Sequence, residues 1–261
     1  MRGVIILSEG RSGTTWLASL ANSTGLLGRS DEWVDEQHLG IKARHVSADT
    51  FISAILEKSA TDNDFFAIKM FPRHLHWFQL AYGFDIIGRL RKEHDLFFVV
   101  VTRNDRIKQA VSFARALQNN AWTSLGKTGQ EAVYDFDLIC RCYFGIGRSY
   151  DFWRSYVALR GLPHKHFVYE DMLPDPSPYV YAIAEHAGVD SITFEVSPLK
   201  IQRDAKTDEW CERFRQDAES RDFLEHAAAS VYPTRKMSNF FRFLRGKSLK
   251  PAFTSRKSFS K

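Results

Sequence analysis

The sequence predicts an α/β protein of three layers, in which helices cover both faces of a parallel sheet. Short apolar runs alternate along the chain with longer segments of helical periodicity, which is the pattern of a parallel sheet buried on both faces. The chain has 261 residues, 44% of them hydrophobic and 26% charged. This composition suffices for one large core and excludes a chain that is disordered throughout.

The first strand is predicted over residues 2–8, which include a run of four branched apolar side chains. A loop with glycine and serine follows at 9–13, and helical spacing is seen over 14–24, where Gly25 and Gly28 end the pattern. A strand, a glycine-bearing loop and a helix in this order favour anion binding. The loop amides and the helix N-terminus direct partial positive charge to one point.

The same patterns predict the other strands and helices. Strands are expected over residues 65–71, 96–102 and 165–169, of which the second (LFFVVVT) has the strongest apolar run. Helices are expected after a cap at Asn104 or Asp105, over about 130–159, over a segment ending near Gly188, and over 208–229.

Positive charge is concentrated at the C-terminal end. Residues 233–261 contain nine Lys or Arg and no acid, so the preceding 232 residues carry 27 basic and 31 acidic groups. The sequence therefore predicts one domain over 1–232 and a flexible basic tail over 233–261. Two interpretations of the tail stay open: a solvated end, or an anchor through residues 240–247 at an anionic membrane surface. No nucleic-acid partner is expected, since the domain itself is slightly acidic.

Cysteine usage favours a reducing compartment. The chain has three cysteines, Cys140, Cys142 and Cys211, an odd number that argues against a disulfide framework. No metal is expected, because Cys140 and Cys142 on a helix would face different directions. The apolar run near the N-terminus is too short for a signal peptide or a membrane span. The location predicted from these features is cytoplasmic.

The first loop differs from the P-loop of nucleoside triphosphatases, whose motif is G-x-x-x-x-G-K-S/T. If Gly13 is the second glycine, Ser8 replaces the first and Thr14 replaces the lysine. The cation of this loop is Arg11 instead. The sequence therefore favours a phosphate-like ligand and argues against an ATP or GTP hydrolase.

The segment RSGTTWL, residues 11–17, resembles the 5′-phosphosulfate loop of sulfotransferases that use 3′-phosphoadenosine 5′-phosphosulfate (PAPS). Many members of that family have lysine at the position of Arg11. The resemblance implies a sulfotransferase fold of P-loop-like type and donor binding by this loop. The residues implied are Arg11, Ser12, Gly13, Thr14, Thr15 and Trp16.

A second motif follows the strongest strand. Arg103 stands at the strand end and Ser112 lies nine residues later; the family places an Arg and a Ser there on the 3′-phosphate of the donor. A dianion is well bound by a forked cation together with neutral hydrogen-bond donors. The segment 109–116 in particular resembles the trehalose 2-sulfotransferase branch.

Two later segments extend the resemblance, so that four motifs follow the family order across about residues 4–219. Residues 166–173 contain Tyr169, which would approach the adenine or else pack in the core. Residues 203–210 contain Lys206 and Thr207, which would close over the nucleotide or else begin a helix.

Transfer to an alcohol needs a base to take the hydroxyl proton. Many family members use a histidine after the second strand, but this chain has Phe71 there, shortly after Lys69. The trehalose branch uses a glutamate after the first helix, which corresponds to Glu32. Ser30 replaces the proline that the branch has in this loop. Rival bases in the same stretch are Asp31, Asp35, Glu36 and His38. His74 and His76 are expected at the surface or in packing roles.

The resemblance therefore predicts in-line transfer of a sulfuryl group from PAPS to a hydroxyl of a carbohydrate or glycolipid. Glu32 would be the base, Arg11 would stabilise the leaving phosphate, and Lys69 would steady the transferring group or form a structural ion pair. A homodimer is open by analogy, and the identity of the acceptor is also open. The alternative functions are a P-loop-like small-molecule kinase, which would need magnesium, and a nucleotide-binding adaptor without activity.

Overall fold

The computed structural model describes residues 1–122, 131–199 and 205–223. Within these ranges, four strands form one parallel sheet in the order β2-β1-β3-β4. In chain order the strands are β1 (Arg2–Leu7), β2 (Phe65–Met70), β3 (Asp95–Thr102) and β4 (His164–Val168). The predicted parallel sheet is confirmed.

Ten α-helices surround this sheet in the described ranges. In chain order they are α1 (Thr14–Ser23), α2 (Glu36–Leu39), α3 (Ala48–Ser59), α4 (Pro72–Tyr82), α5 (Ile86–Glu93), α6 (Arg106–Asn119), α7 (Phe136–Leu159), α8 (Tyr169–Met172), α9 (Ser177–Ala187) and α10 (Ala205–Ser220).

The two faces of the sheet are covered by different helices, as the alternation of β1 shows. Ile5 and Leu7 pack with apolar residues of α3, α4, α5 and α7, whereas Val4 and Ile6 pack with α1 and α9. Successive side chains of a strand point to opposite faces, so a strand buried on both sides needs a continuous apolar run. This arrangement confirms the three-layer prediction.

A third apolar cluster joins α6, α7 and α10, with Trp210 and Phe214 of α10 packed beside Ala110 and Ile139. Helix α10 is thereby part of the same body as the sheet. The predicted boundary at residue 232 and the basic tail lie outside the described residues. None of the described helices has the length and apolar character needed to cross a bilayer.

Several element boundaries differ from the sequence prediction. The helix expected from about residue 130 begins at Phe136, where Asp135 caps it by accepting a hydrogen bond from the Leu138 amide. Tyr169 does not end the fourth strand but begins the short helix α8. The last predicted helix begins earlier, at Ala205, and ends at Ser220; residues 224–229 of that prediction lie outside the described residues.

Parallel strands bring their carboxyl ends to one edge of the sheet, and ligands of such sheets bind at that edge. Here that edge carries the loop after β1, the end of β2 with Lys69, and Arg103 after β3. Tyr169 follows β4 at the same edge.

Candidate active site

The loop between β1 and α1 is held by buried hydrogen bonds. The Ser8 hydroxyl donates to the Val101 carbonyl at 2.7 Å and lies 2.7 Å from the Ser12 hydroxyl. Trp153 Nε1 donates to the Ser8 carbonyl at 2.8 Å. These contacts fix the loop beneath the N-terminus of α1, whose first amides have no partner inside the helix.

Two residues of the loop adopt positive φ, Arg11 at 64° and Gly13 at 86°. A β-carbon at position 13 would lie 2.2 Å from the Tyr169 ring. The close ring leaves no room for a side chain at this position, and the left-handed backbone also favours glycine.

One cavity of about 500 Å³ lies against the loop, and most of the predicted site residues line it. Those that line it are Arg11, Gly13, Thr14, Thr15, Trp16, Glu32, Lys69, Arg103, Ser112, Tyr169 and Thr207. Two predicted residues lie elsewhere. The Ser12 side chain is fully buried against Ser8, and Lys206 Nζ pairs with Glu131 at 2.6 Å.

One end of the cavity is strongly basic. Arg11 Nε donates to the Ser112 hydroxyl at 2.9 Å, and the same guanidinium donates to the Trp122 carbonyl. Burial, and then the charges of Arg103 and Arg115, lower the pKa of Arg11 to about 10. Guanidinium groups crowded in this way favour a bound anion, which would offset both their burial and their mutual repulsion.

Arg103 lies at the same end of the cavity. Its Nε is buried and has no hydrogen-bond partner, although it lies 3.5 Å from Glu170 Oε1. Its guanidinium carbon lies 5.1 Å from the centre of the Tyr169 ring, and Nη1 donates to the Arg11 carbonyl at 3.4 Å. The guanidinium is therefore held between Glu170, the Tyr169 ring and the loop after β1, with one buried donor that no hydrogen bond satisfies.

The backbone that carries Arg103 is fixed by two side chains. Glu170 accepts from the amides of Asn104 and Asp105. Burial raises the pKa of Tyr150 above its ordinary value, so the phenol stays protonated; it accepts from the Arg103 amide and donates to Gln109 Oε1 at 2.9 Å.

The opposite end of the cavity contains Glu32 between two cations. Lys69 Nζ lies 3.2 Å from Glu32 Oε1, and Arg73 Nη2 lies 3.1 Å from Glu32 Oε2. Lys69 is only 3% exposed and also donates to the Thr15 hydroxyl at 3.3 Å. Lys69 therefore connects the carboxylate to the first turn of α1.

Backbone pairing brings Glu32 to this position. The Lys69 amide donates to the Asp31 carbonyl at 3.0 Å, which places the segment before α2 alongside the end of β2. Asp31 itself lies 3.7 Å from Lys69 Nζ, and its Oδ1 accepts from the Glu32 amide. Glu32 is the residue of this stretch whose carboxylate both cations approach.

The rival acids already have structural roles. Asp35 caps α2 by accepting from the Gln37 amide, and Glu36 accepts from the Ala43 amide at 2.6 Å. His38 lines the cavity next to Asp35. His74 is buried, and burial followed by the charge of Arg73 lowers its pKa to about 3. His74 is therefore neutral, and the packing role expected for it agrees with this position.

Sequence reasoning missed three cations near the cavity: Arg73, Lys108 and Arg115. Arg73 and Lys108 line it, and Arg115 donates to the Thr207 hydroxyl behind Arg11. The signal for Arg73 was present, because Pro72 favours the first position of a helix and α4 begins directly at the sheet edge. In the described ranges, no group of three or more His, Cys, Asp or Glu has a geometry that could hold a metal ion.

Comparison with known proteins gives relatives of one kind. The chain is 28% identical over 136 residues to trehalose 2-sulfotransferase of Mycobacterium tuberculosis (strain ATCC 35801 / TMC 107 / Erdman), covering 51% of this chain and 49% of the relative. It is 27% identical over 142 residues to trehalose 2-sulfotransferase of Mycolicibacterium smegmatis (strain ATCC 700084 / mc(2)155), covering 54% and 51%. The chain thus spans about half the length of the curated relatives it matches.

Two solved structures are also similar. One is the sulfotransferase domain of the Synechococcus PCC 7002 olefin synthase, with a TM-score of 0.39, 15% identity, and coverage of 89% of this chain and 95% of that one. The other is a sulfotransferase from Alicyclobacillus acidocaldarius, with a TM-score of 0.48, 14% identity, and coverage of 93% and 99%.

The family model provides the assignment. The model described as Stf0 sulphotransferase matches residues 3–217. This range includes the loop after β1, Glu32, Arg103 and Tyr169, and the resemblance found in the sequence is thereby confirmed. Because the match covers most of its length, the chain belongs to the Stf0 sulphotransferase family.

Proposed function

We propose that this chain is a sulfotransferase that moves the sulfuryl group of PAPS to a hydroxyl group of a carbohydrate or glycolipid. One observation carries the proposal. A single cavity joins a crowded arginine cluster at one end to a carboxylate held between two cations at the other. The first end suits a multiply charged nucleotide, and the second suits deprotonation of an alcohol.

The basic end supports binding of a phosphate dianion. Arg103 lines the cavity with its guanidinium carbon 5.1 Å from the centre of the Tyr169 ring, and Ser112 adds a hydroxyl beside Arg11. Arginine forks and neutral hydroxyls are well suited to phosphate oxygens. We assign this end to the 3′-phosphate of the donor, with Tyr169 beside the adenine and Thr207 above it.

The contacts of Arg11 change its proposed role. The sequence interpretation placed Arg11 at the leaving 5′-phosphate, but its guanidinium faces Ser112 and lies near Arg103. We therefore propose that Arg11 binds the donor at the Arg103 end. The amides of the loop and the first turn of α1, together with Lys69, stabilise the charge that develops at the transfer end.

In the proposed reaction, Glu32 accepts the proton of the attacking hydroxyl while the new bond from oxygen to sulfur forms. When bound, PAPS supplies the electrophilic sulfur, whose bond to the bridging oxygen breaks and leaves its electron pair on the 5′-phosphate. Lys69 lies between Glu32 and Thr15. Its charge therefore acts where the attacking hydroxyl would approach the sulfuryl group. Arg and Lys serve the anions, and the step requires no metal ion.

The acceptor would enter at the Glu32 end. Asp31, Asp35, Gln37 and His38 line this part of the cavity, together with the ring of Phe71. Carboxylates and amides exchange hydrogen bonds with hydroxyl groups, and the acidic character disfavours an anionic acceptor. A neutral sugar fits these groups, and two relatives are named for transfer to trehalose. A glycolipid acceptor, a membrane contact through residues 240–247 and a homodimer stay as predictions.

Calorimetric titration tests the donor assignment. We expect 3′-phosphoadenosine 5′-phosphate to bind more tightly than AMP or ATP, with and without EDTA, since its 3′-phosphate alone would reach the arginine cluster. Equal affinities for the three nucleotides would contradict this assignment. Binding of ATP that depends on magnesium would favour the kinase alternative.

A further inference from the structure

Arg73 contacts two carboxylates from different parts of the fold. Its Nη1 lies 3.1 Å from Glu9 Oε1, and its Nη2 lies 3.1 Å from Glu32 Oε2. Glu9 belongs to the loop after β1, and Glu32 precedes α2. A forked guanidinium can serve two acceptors at once in a fixed geometry, so Arg73 joins the loop to Glu32.

The position of Arg73 is itself supported. Its guanidinium carbon lies 4.3 Å from the centre of the Phe71 ring, and Phe71 is only 3% exposed. A cation over an aromatic face is attracted to it. Pro72 begins α4 between these two residues, which holds the Arg73 backbone next to the sheet edge.

Glu9 is a well-fixed partner. It is 7% exposed, and its carboxylate accepts from the Gly10 amide at 2.7 Å and from the Ser149 hydroxyl at 2.5 Å. These contacts hold the Glu9 carboxylate independently of Glu32. It therefore offers Arg73 a partner that does not depend on Glu32.

The charges form an alternating series with Glu32 at its centre. In order along the series they are Asp31, Lys69, Glu32, Arg73 and Glu9. Each cation beside Glu32 thus has a second carboxylate. When Glu32 becomes neutral by taking a proton, Lys69 remains paired with Asp31, and Arg73 remains paired with Glu9. Neither cation is then left without a counter-charge in a partly buried site.

We propose that Arg73 is a positioning residue, which holds the Glu32 carboxylate against the loop after β1, and that Glu9 retains Arg73 while Glu32 gains and loses its proton. This inference rests on the proposed function, in which Glu32 is the base. It predicts that Arg73 affects the rate of transfer and leaves the affinity for the nucleotide unchanged.

The first test compares Arg73→Ala and Arg73→Lys with the wild-type chain. Misplacement of a base is costly, so we expect Arg73→Ala to lower kcat about 10²-fold, with the affinity for 3′-phosphoadenosine 5′-phosphate unchanged. Arg73→Lys should recover only a minor part of kcat, because one ammonium cannot bridge both carboxylates.

The control is Arg154→Ala. Arg154 is also an exposed arginine, but it lies on α7 and pairs with Asp151. It should leave kcat, the nucleotide affinity and the melting temperature as in the wild-type chain. A normal kcat in Arg73→Ala would overturn the inference. A loss of nucleotide affinity equal to the loss of kcat would also overturn it, because Arg73 would then act on the donor.

The role of Glu9 is tested with Glu9→Gln, which removes the charge; its amide oxygen can still accept from the Gly10 amide, and its NH2 group can donate to the Ser149 hydroxyl instead of accepting from it. We expect kcat to fall about fivefold, the scale of one ion pair, and Glu9→Gln to have no further effect in the Arg73→Ala background. Additive effects would show that Glu9 acts independently of Arg73.

A measurement without substrate separates this inference from the proposed function. Urea unfolding of Arg73→Ala, Glu32→Gln and the double variant should give non-additive changes in the free energy of unfolding. If the changes are non-additive but the chain transfers no sulfuryl group, the contact of Arg73 with Glu32 is supported and the proposed function is refuted. Additive changes would refute the positioning role of Arg73, whether or not the chain transfers a sulfuryl group.

Discussion

The Tyr169 ring occupies the place that a side chain at Gly13 would need, with its nearest atom 2.2 Å from the position of an added β-carbon. The first turn of α1 and the aromatic residue after β4 are therefore matched in shape. Trp16 meets the same ring edge to face, with centroids 6.1 Å apart. The loop can approach a ligand closely only while position 13 is glycine.

Gly13→Ala should therefore weaken nucleotide binding. An alanine there adds both backbone strain and a collision with Tyr169, and we expect affinity for 3′-phosphoadenosine 5′-phosphate to fall about tenfold or more. Gly25→Ala is the matched control, since Gly25 also has positive φ, 69°, but nothing lies within 4 Å of its added β-carbon. If both variants bound as the wild-type chain does, the close packing of the loop would have no part in binding.

Arg103→Ala should act on one phosphate of the nucleotide. We expect affinity for 3′-phosphoadenosine 5′-phosphate to fall about 10- to 100-fold, the scale of a charged hydrogen bond, while affinity for AMP changes little. Arg103→Lys keeps the charge without the fork and should lie between these limits. Equal losses for both nucleotides, measured by calorimetry, would move the 3′-phosphate away from Arg103.

Glu32→Gln should abolish most of the turnover while nucleotide affinity is retained. Loss of a general base costs about 10²- to 10⁴-fold in rate, and the amide keeps the shape of the carboxylate. Asp35→Asn is the matched control, because Asp35 lines the same cavity and caps α2. An unchanged kcat in Glu32→Gln, or a larger loss in Asp35→Asn, would transfer the role of base to another acid.

His74 should make the fold sensitive to acid. Its pKa is lowered from 6.5 to about 3, chiefly by burial, so the unfolded chain binds a proton between these values that the folded chain does not. The contribution of His74 to the free energy of unfolding is then fully present above about pH 6.5. It is lost as the pH falls towards 3, with a slope of up to about 1.4 kcal/mol per pH unit.

His74→Asn should reduce this slope in urea unfolding measured from pH 7 to pH 4. An asparagine can still accept from the Phe71 amide, as His74 Nδ1 does at 3.3 Å. His76→Asn, at an exposed position of the same helix, is the control and should leave the slope unchanged. The same slope in the wild-type chain and His74→Asn would show that other groups take up the proton.

Much of the sheet could be predicted because β1, β2 and β3 each contain an apolar run that is largely buried. β1 and β3 begin and end within one residue of the prediction. Helices α2 to α5 were not predicted: α2 and α3 lie between residues 33 and 64, where the sequence matched no motif, and α4 and α5 lie between β2 and β3, where no helix was assigned. Cap signals were nevertheless present, because Ser47 and Asp85 accept from the first amides of α3 and α5.

Candidate site residues could be proposed where they follow a strand directly, as Arg103 does, or lie in the loop after one, as Arg11 does. Side-chain direction could not, because it depends on tertiary contacts. Arg11 turns towards Ser112 from a backbone with positive φ, and Arg73 turns back over Phe71 to reach Glu32. Spacing along the sequence contains no information about either turn.

The most direct test of the proposed activity is sulfuryl transfer itself. The wild-type chain and Glu32→Gln would be incubated with radiolabelled PAPS and a panel of neutral sugars that includes trehalose, in the presence of EDTA. We expect a labelled sugar from the wild-type chain and almost none from Glu32→Gln. Tight nucleotide binding without a labelled product from any hydroxyl acceptor would contradict the proposed activity and favour a nucleotide-binding protein without catalysis.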